Sequence, residues 1–192
     1  MRNLQQRLIL VFGLVLIVAA SVAYSQPWLR IPDAETMAWR MTLVGANGEQ
    51  RVLSFSDVRS MPAIKAAGGF FSSVGIVFGP YSVKGVALTA LCDLVGGMDA
   101  GDAVMISAGD GYSTVLSYEQ ANGDFLAYTA DLKELPQRDL QTLLIYEVDG
   151  KLLSHEIGKP MRLAIIGINE SVLTEGSYWV KWVDRIEVLR TP

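Results

Sequence analysis

The sequence is poor in the residues from which most catalytic and metal centres are built. It holds one cysteine, Cys92, and one histidine, His155, in 192 residues. A single cysteine excludes an intramolecular disulfide, so the fold relies on an apolar core that a domain of this size can supply. A zinc site built from Cys and His clusters is excluded on the same count. A Cys-His or Ser-His pair would have to use His155, and its surroundings, "LLSHEIGK", contain no nucleophile elbow. His155 therefore reads as a surface residue beside a turn, and Cys92 as a small buried hydrophobe. Also missing are a GxGxxG between strand and helix, a P-loop and an HExxH. Asp99 and Asp102 in "GGMDAGDAV" have neither EF-hand nor acid-base spacing. Asp110 in "GDGY" reads as a turn residue. Positive charge is scarce too: 16 Lys and Arg face 20 Asp and Glu, with no basic run. Such a surface repels nucleic acid, which is excluded as a partner.

What is present begins with "MRNLQQRLILVFGLVLIVAASVAYSQPW". Arg2 and Arg7 precede an uncharged apolar run over residues 8–23, and small residues follow at Ser21, Ala23 and Ser25. This pattern predicts a secretory signal over residues 1–25 with a small-x-small cleavage site. Left uncleaved, the run is marginally long enough to serve as one membrane anchor. Either outcome makes the protein extracytoplasmic, in the periplasm or at the cell surface. Without Arg2 and Arg7, fourteen positive side chains oppose twenty negative ones, a net charge of −6. "QPWLRIPDAET", with two prolines, reads as a linker over residues 26–36. Residues 37–190 remain for a single domain.

Within that domain, "MAWRMTLVG" and "RVLSF" form the arms of a hairpin around the turn "ANGE", and Ser56 caps a short helix over "DVRSM". The Gly- and Ser-rich "AIKAAGGFFSSVGIVFGPYSVKGVAL" reads as a long shaped loop with extended pieces, where backbone approaches a ligand or another chain. "LTALCDLVGG" is a helix with Leu88, Leu91 and Val95 on one face, stopped by its glycine pair. "DAVMISAGDGYSTVLS" is a strand pair around Gly109, Asp110 and Gly111. Ser117 and Gln120 make a capping box. "TLLIYEV-DG-KLLSHE" is a hairpin with a strong Asp-Gly turn signal. "GKPMRLAIIGI" and "YWVKWVDRIEVL" are further strands. Many short strands with few short helices argue α+β or mostly β.

Six motifs occur in a telling order: "WRMTLVG", "GVALTAL", "SAGDGYS", "LLIYEVDGKLL", "GKPMRLAI" and "WVKWVDRIEVL". Together, over residues 39–189, they make the chain resemble the sulfite-oxidase-like molybdopterin-binding domain. The resemblance implies that family's α+β fold, with mixed and antiparallel sheets, short helices and a cleft for the molybdenum cofactor. It assigns cofactor-pocket positions to Arg162 in "PMRL" and to Lys181 and Trp182 in "KW". An arginine and a lysine suit a pterin phosphate as charge-assisted donors. The other reading of Lys181 is a stem laid along Trp179 or Trp182 with its ammonium in solvent.

One departure bears on function. Catalytic members of the family carry a molybdenum-ligating cysteine in the loop before the "GVxL" helix; here Ser72 or Ser73 stands in its place. A hydroxyl is a poor substitute for a soft thiolate on a redox metal. Cys92 comes too late in the chain to replace it, and the loop lacks the extra arginines that sulfite oxidation uses. Arg2 and Arg7 are not a twin-arginine pair, the export route suited to a folded holoprotein. The sequence thus favours a binding module for a small anionic ligand or partner, without thiolate-ligated molybdenum. Two alternatives stay open: a molybdopterin-dependent oxidoreductase with an unusual ligand set, and a structural subunit bound to a membrane-associated protein partner.

Overall fold

The structure, a computed structural model, describes residues 32–136, 139–168 and 170–190. The expected signal or anchor, residues 1–25, lies outside the described residues. Among the described residues no helix is long and apolar enough to cross a membrane.

The chain opens with a short helix, α1 (Ala34–Ala38), whose N-cap Asp33 accepts from the Thr36 N–H. Strands β1 (Arg40–Val44) and β2 (Gln50–Ser54) form the expected antiparallel hairpin. Helix α2 (Phe55–Ser60) follows, but its cap is Ser54 rather than Ser56. Asp57 is the reason: its carboxylate accepts from the Ser54 N–H while Ser54 Oγ accepts from the Asp57 N–H. That reciprocal pair satisfies two otherwise orphaned donors and fixes the helix start two residues earlier.

The Gly- and Ser-rich stretch is no loop. It folds into a long hairpin, β3 (Ile64–Phe71) and β4 (Val77–Ala87). Its glycines mark bulges, and the register slips between Gly68 and Phe70 and again between Lys84 and Gly85. A Cβ on Gly69 would lie 2.3 Å from the Phe78 carbonyl, and one on Gly85 2.4 Å from that of Leu144. The close approach read from the sequence is real, but it is made by the sheet's own neighbouring strands.

Helix α3 (Leu88–Cys92) presents Leu88 and Leu91 to the core, and β5 (Ala103–Ala108) pairs with β6 (Ser113–Ser117) as expected. Helix α4 (Tyr118–Ala121) starts at the Ser117–Gln120 capping box. Strands β7 (Leu140–Val148) and β8 (Lys151–Leu152) close on Asp149 and Gly150, both at positive φ. Strands β9 (Arg162–Gly167), β10 (Val172–Glu175) and β11 (Val183–Leu189) complete the chain.

The strands form two sheets. One runs β2-β1-β11-β5-β6; the other runs β10-β3-β4-β7-β8, with β9 pairing to both β3 and β7. β1–β11 and β10–β3 are parallel pairs and the rest antiparallel, giving the α+β fold with mixed sheets and short helices. Two apolar clusters share the interior, and β7 divides them. Leu144 and Tyr146 belong to one cluster, Leu143 and Ile145 to the other. This two-sided burial explains why "TLLIYEV" and "RLAIIG" read as unbroken apolar runs rather than alternating ones.

Lys159 Nζ holds α1 to the turn before β9, lying 2.6 Å from Asp33 Oδ2 and 2.8 Å from Glu35 Oε2. The Lys159 ammonium, with the Thr36 amide, keeps the Asp33 carboxyl down at about 2. A depressed carboxyl stabilises the fold above its unfolded pKa of about 4, and that contribution disappears as pH falls through the folded value. Asp33→Asn keeps the cap but loses the charge. It is expected to lower the melting temperature at neutral pH, with the difference from wild type narrowing as pH falls from about 4 towards about 2 in parallel thermal melts.

Candidate ligand cleft

Strand β9 begins with the most consequential side chain of the molecule. Alternation sends Leu163 into the first cluster and Ala164 into the second, so Arg162 shares the Ala164 side. Its residue is only 6% exposed. The guanidinium lies 4.6 Å from the Phe70 ring centre and 5.3 Å from that of Trp179. Nε donates to the Trp179 carbonyl and Nη1 to that of Ile157, each at 3.3 Å. No carboxylate pairs with it among the described residues. Burial pulls its pKa down to about 10, because little stabilises the charged form in return. A guanidinium has five N–H donors; the two carbonyls use two of them, and the rest remain for whatever enters the space beside it.

That space is a cleft of about 560 Å³, within the range of small-molecule sites. The hairpin supplies Phe70, Phe78 and Tyr81 as one wall, and Trp179, Lys181 and Trp182 form another. Phe70 stacks on Phe78 at 4.8 Å and leans on Trp179 at 4.9 Å, so the aromatic wall is one connected assembly. The β5–β6 turn reaches across with Asp110 and Tyr112, and the Tyr112 hydroxyl donates to the Ser177 carbonyl at 2.9 Å.

The residues "WVKW" divide their roles. Trp179 is buried, and its indole N–H donates to Thr174 Oγ1, which donates in turn to the Ile165 carbonyl. Every polar group in this buried relay is satisfied, which fixes the ring beneath Arg162. Trp182 has a positive φ of 53°, a strained value for a bulky residue. Its amide donates to the Gly158 carbonyl and its indole N–H to that of His155, so the turn holds it there. Lys181 lies between them on the cleft, with Nζ 5.5 Å from the Trp182 ring centre and no carboxylate partner among the described residues. Gly158, at φ 111°, packs against Lys181 so closely that a Cβ would fall 2.9 Å from the lysine's own. Lys181 thus lines the cleft with its ammonium over the Trp182 ring.

Of the residues singled out in the sequence, Arg162, Lys181 and Trp182 come together here. Ser72 and Ser73 do not line the cleft; they begin the β3–β4 turn. The Ser72 Oγ accepts from the Ile76 N–H, and its amide donates to the Ile76 carbonyl. The reason is the hairpin itself: a tight turn needs those polar atoms for its own backbone. His155 is exposed and offers only its carbonyl and a tilted ring contact with Trp182. Cys92 sits in the first apolar cluster, its thiol pushed up to about 12 by burial. The sequence reading gave no ligand-binding role to Phe70, Phe78, Tyr81 or Thr174. Only the uncharged aromatic run "GGFFSSVGIVFGPY" hinted at the first three.

These features suit the anionic and aromatic parts of a pterin phosphate: two uncompensated cations and a stacked aromatic wall. They offer no thiolate, since the one cysteine is in the core. Among the described residues no cluster of three or more His, Cys, Asp or Glu could hold a metal ion.

The two sheets, with a cleft walled by β3, β4 and the segment before β11, define a molybdopterin-binding oxidoreductase fold. Residues 28–192 match the oxidoreductase molybdopterin binding domain, and the chain belongs to that family. Among solved structures it is similar to the sulfane dehydrogenase SoxCD from Paracoccus pantotrophus. The TM-score is 0.64 at 18% identity, covering 83% of this chain and 40% of that one. This likeness carries the fold, and the chain spans about two fifths of its solved counterpart's length. No curated protein matches the sequence.

The Trp179–Thr174 relay is directly testable. Thr174→Val keeps the shape but leaves a buried indole N–H unpaired, and should cost about 1–3 kcal/mol in urea unfolding.

Proposed function

We propose that this domain is an extracytoplasmic binding module of the molybdopterin-binding family, holding a small anionic ligand in the cleft beside Arg162. One observation carries the reading: a buried guanidinium, without a carboxylate partner among the described residues, lines an aromatic cleft together with Lys181. Leaving a cation buried and unpaired costs several kcal/mol. A phosphate or related oxyanion would offset that cost through bidentate, charge-assisted bonds. The flanking rings of Phe70 and Trp179 would exclude water and strengthen those bonds. Placement outside the cytoplasm, secreted or anchored, follows from the charge and hydropathy pattern of residues 1–25. A thiolate-ligated molybdenum forms no part of the reading, because Cys92 is in the core and Ser72 and Ser73 belong to a turn.

The family itself favours a second reading, a molybdopterin-dependent oxidoreductase with a ligand set of its own. Bound cofactor would then use Arg162 and Lys181 for its phosphate and supply the redox chemistry itself. Molybdenum near one atom per chain in protein purified from its native host would select this reading.

The binding module is tested by thermal shift with a pterin monophosphate and with inorganic phosphate. At a hundredfold excess over Kd, binding adds about 2.7 kcal/mol, or about 5–10 °C for a domain of this size. Arg162→Met and Lys181→Ala are expected to remove the shift. A wild-type protein that responds to no anion, or variants that respond as fully as wild type, would overturn it.

A further inference from the structure

The β3–β4 hairpin has a second feature, which shares only Phe78 with the cleft. Residues 66–83 contain no charged side chain. Residues 73–80, around the turn, are all exposed. Val74 is 77% and Ile76 56% exposed, with Val77 and Phe78 at 38% each. Solvent-exposed hydrophobes are ordinary when scattered; four within five residues on one protruding turn are not. The backbone of that turn is closed on itself, with Ser72 and Ile76 exchanging bonds and the Gly75 amide donating to the Ser72 carbonyl. These internal bonds lower the cost of taking part of the turn's backbone out of bulk water, and the groups left over can meet water and headgroups in a bilayer interface. Phe78, stacked on Phe70, makes one side of it rigid.

The rest of the chain indicates what covers this tip. The uncharged run over residues 8–23 is followed by nine residues before Asp33, a reach of at most about 30 Å. Asp33 is tied to Lys159, which adjoins Gly158, and Gly158 packs on Lys181 at the cleft. Asp33 is thus tied to the turn whose Gly158 packs on a cleft residue, and the hairpin's Phe78 lines the same cleft; a membrane anchor at residues 8–23 would have lipid within that reach of Asp33. The acidic chain would be repelled by an anionic surface, but its tip bears no charge.

We propose that Val74, Ile76, Val77 and Phe78 rest in the interface of a phospholipid bilayer and hold the mouth of the cleft against the membrane. The proposal rests on the anchored form of the export reading above, and the two can fail separately. The test uses the full chain mixed with phosphatidylcholine vesicles, carrying Val74→Cys or, as control, Gln50→Cys on exposed β2. Each is labelled with an environment-sensitive fluorophore; Cys92, buried in the core, stays unlabelled in the folded protein. The label at 74 should shift to the blue on vesicles and be quenched by lipids bearing acyl-chain spin labels. The label at 50 should do neither. If the protein floats with the vesicles while the label at 74 stays in water, the hairpin proposal is overturned and the anchor stands. Failure to float overturns both. A label at 74 that becomes shielded without lipid, increasingly with protein concentration, would make a second copy the partner and overturn the lipid assignment.

Discussion

Arg162 is the interaction on which the cleft depends. Its stem and guanidinium fill the space between β9, the Phe70 ring and the Trp179 ring, and its bonds to Ile157 and Trp179 join the turn before β9 to the segment before β11. Cation–π contacts are worth about 2 kcal/mol when desolvated, and each carbonyl adds a charge-assisted bond of about 1.5–3 kcal/mol. These gains are comparable with the penalty of burying the charge, so the arginine is tolerated rather than strongly stabilising. Nothing in the described structure neutralises it. A protein that needed only a filled core would place Leu or Met there, as it does at Met161 and Leu163 on either side.

The surrounding features follow from that arginine. Trp179 must keep a fixed plane under it, and the relay through Thr174 to the Ile165 carbonyl provides this. Trp182 accepts a left-handed backbone because the His155 and Gly158 carbonyls grip it, and that conformation turns Lys181 to the cleft. The bulges of the β3–β4 hairpin bring Phe70 and Phe78 into a stack on the opposite side. The site is therefore assembled from segments distant in sequence, each locked by hydrogen bonds that involve no ligand. Such preorganisation lowers the ordering cost of binding.

Much of the fold was legible because its signals were local. The Asp-Gly turn of β7–β8, the Ser117–Gln120 capping box and the apolar face of Leu88 and Leu91 each depend on a few neighbouring residues. The order of the motifs then identified the family, and Arg162, Lys181 and Trp182 line one cleft. Two errors had non-local causes. The Gly-rich stretch read as a loop because the feature that makes it a hairpin, pairing with β7 and β10, lies far away in the chain. Ser72 and Ser73 were assigned from the resemblance to a family position, whereas both fall where the β3–β4 turn begins and the Ser72 hydroxyl and amide close that turn. Thr174 was invisible for the same reason, since only folding brings it to Trp179.

We propose that Arg162 is kept for a ligand and not for the fold. Urea unfolding of Arg162→Met beside wild type, both without ligand, tests it most directly. If the claim holds, the methionine variant is at least as stable as wild type, as when well-packed apolar groups replace buried charge. A loss of about 3 kcal/mol or more would show the guanidinium to be a structural cation, sufficiently served by its two rings and two carbonyls, and would contradict the account.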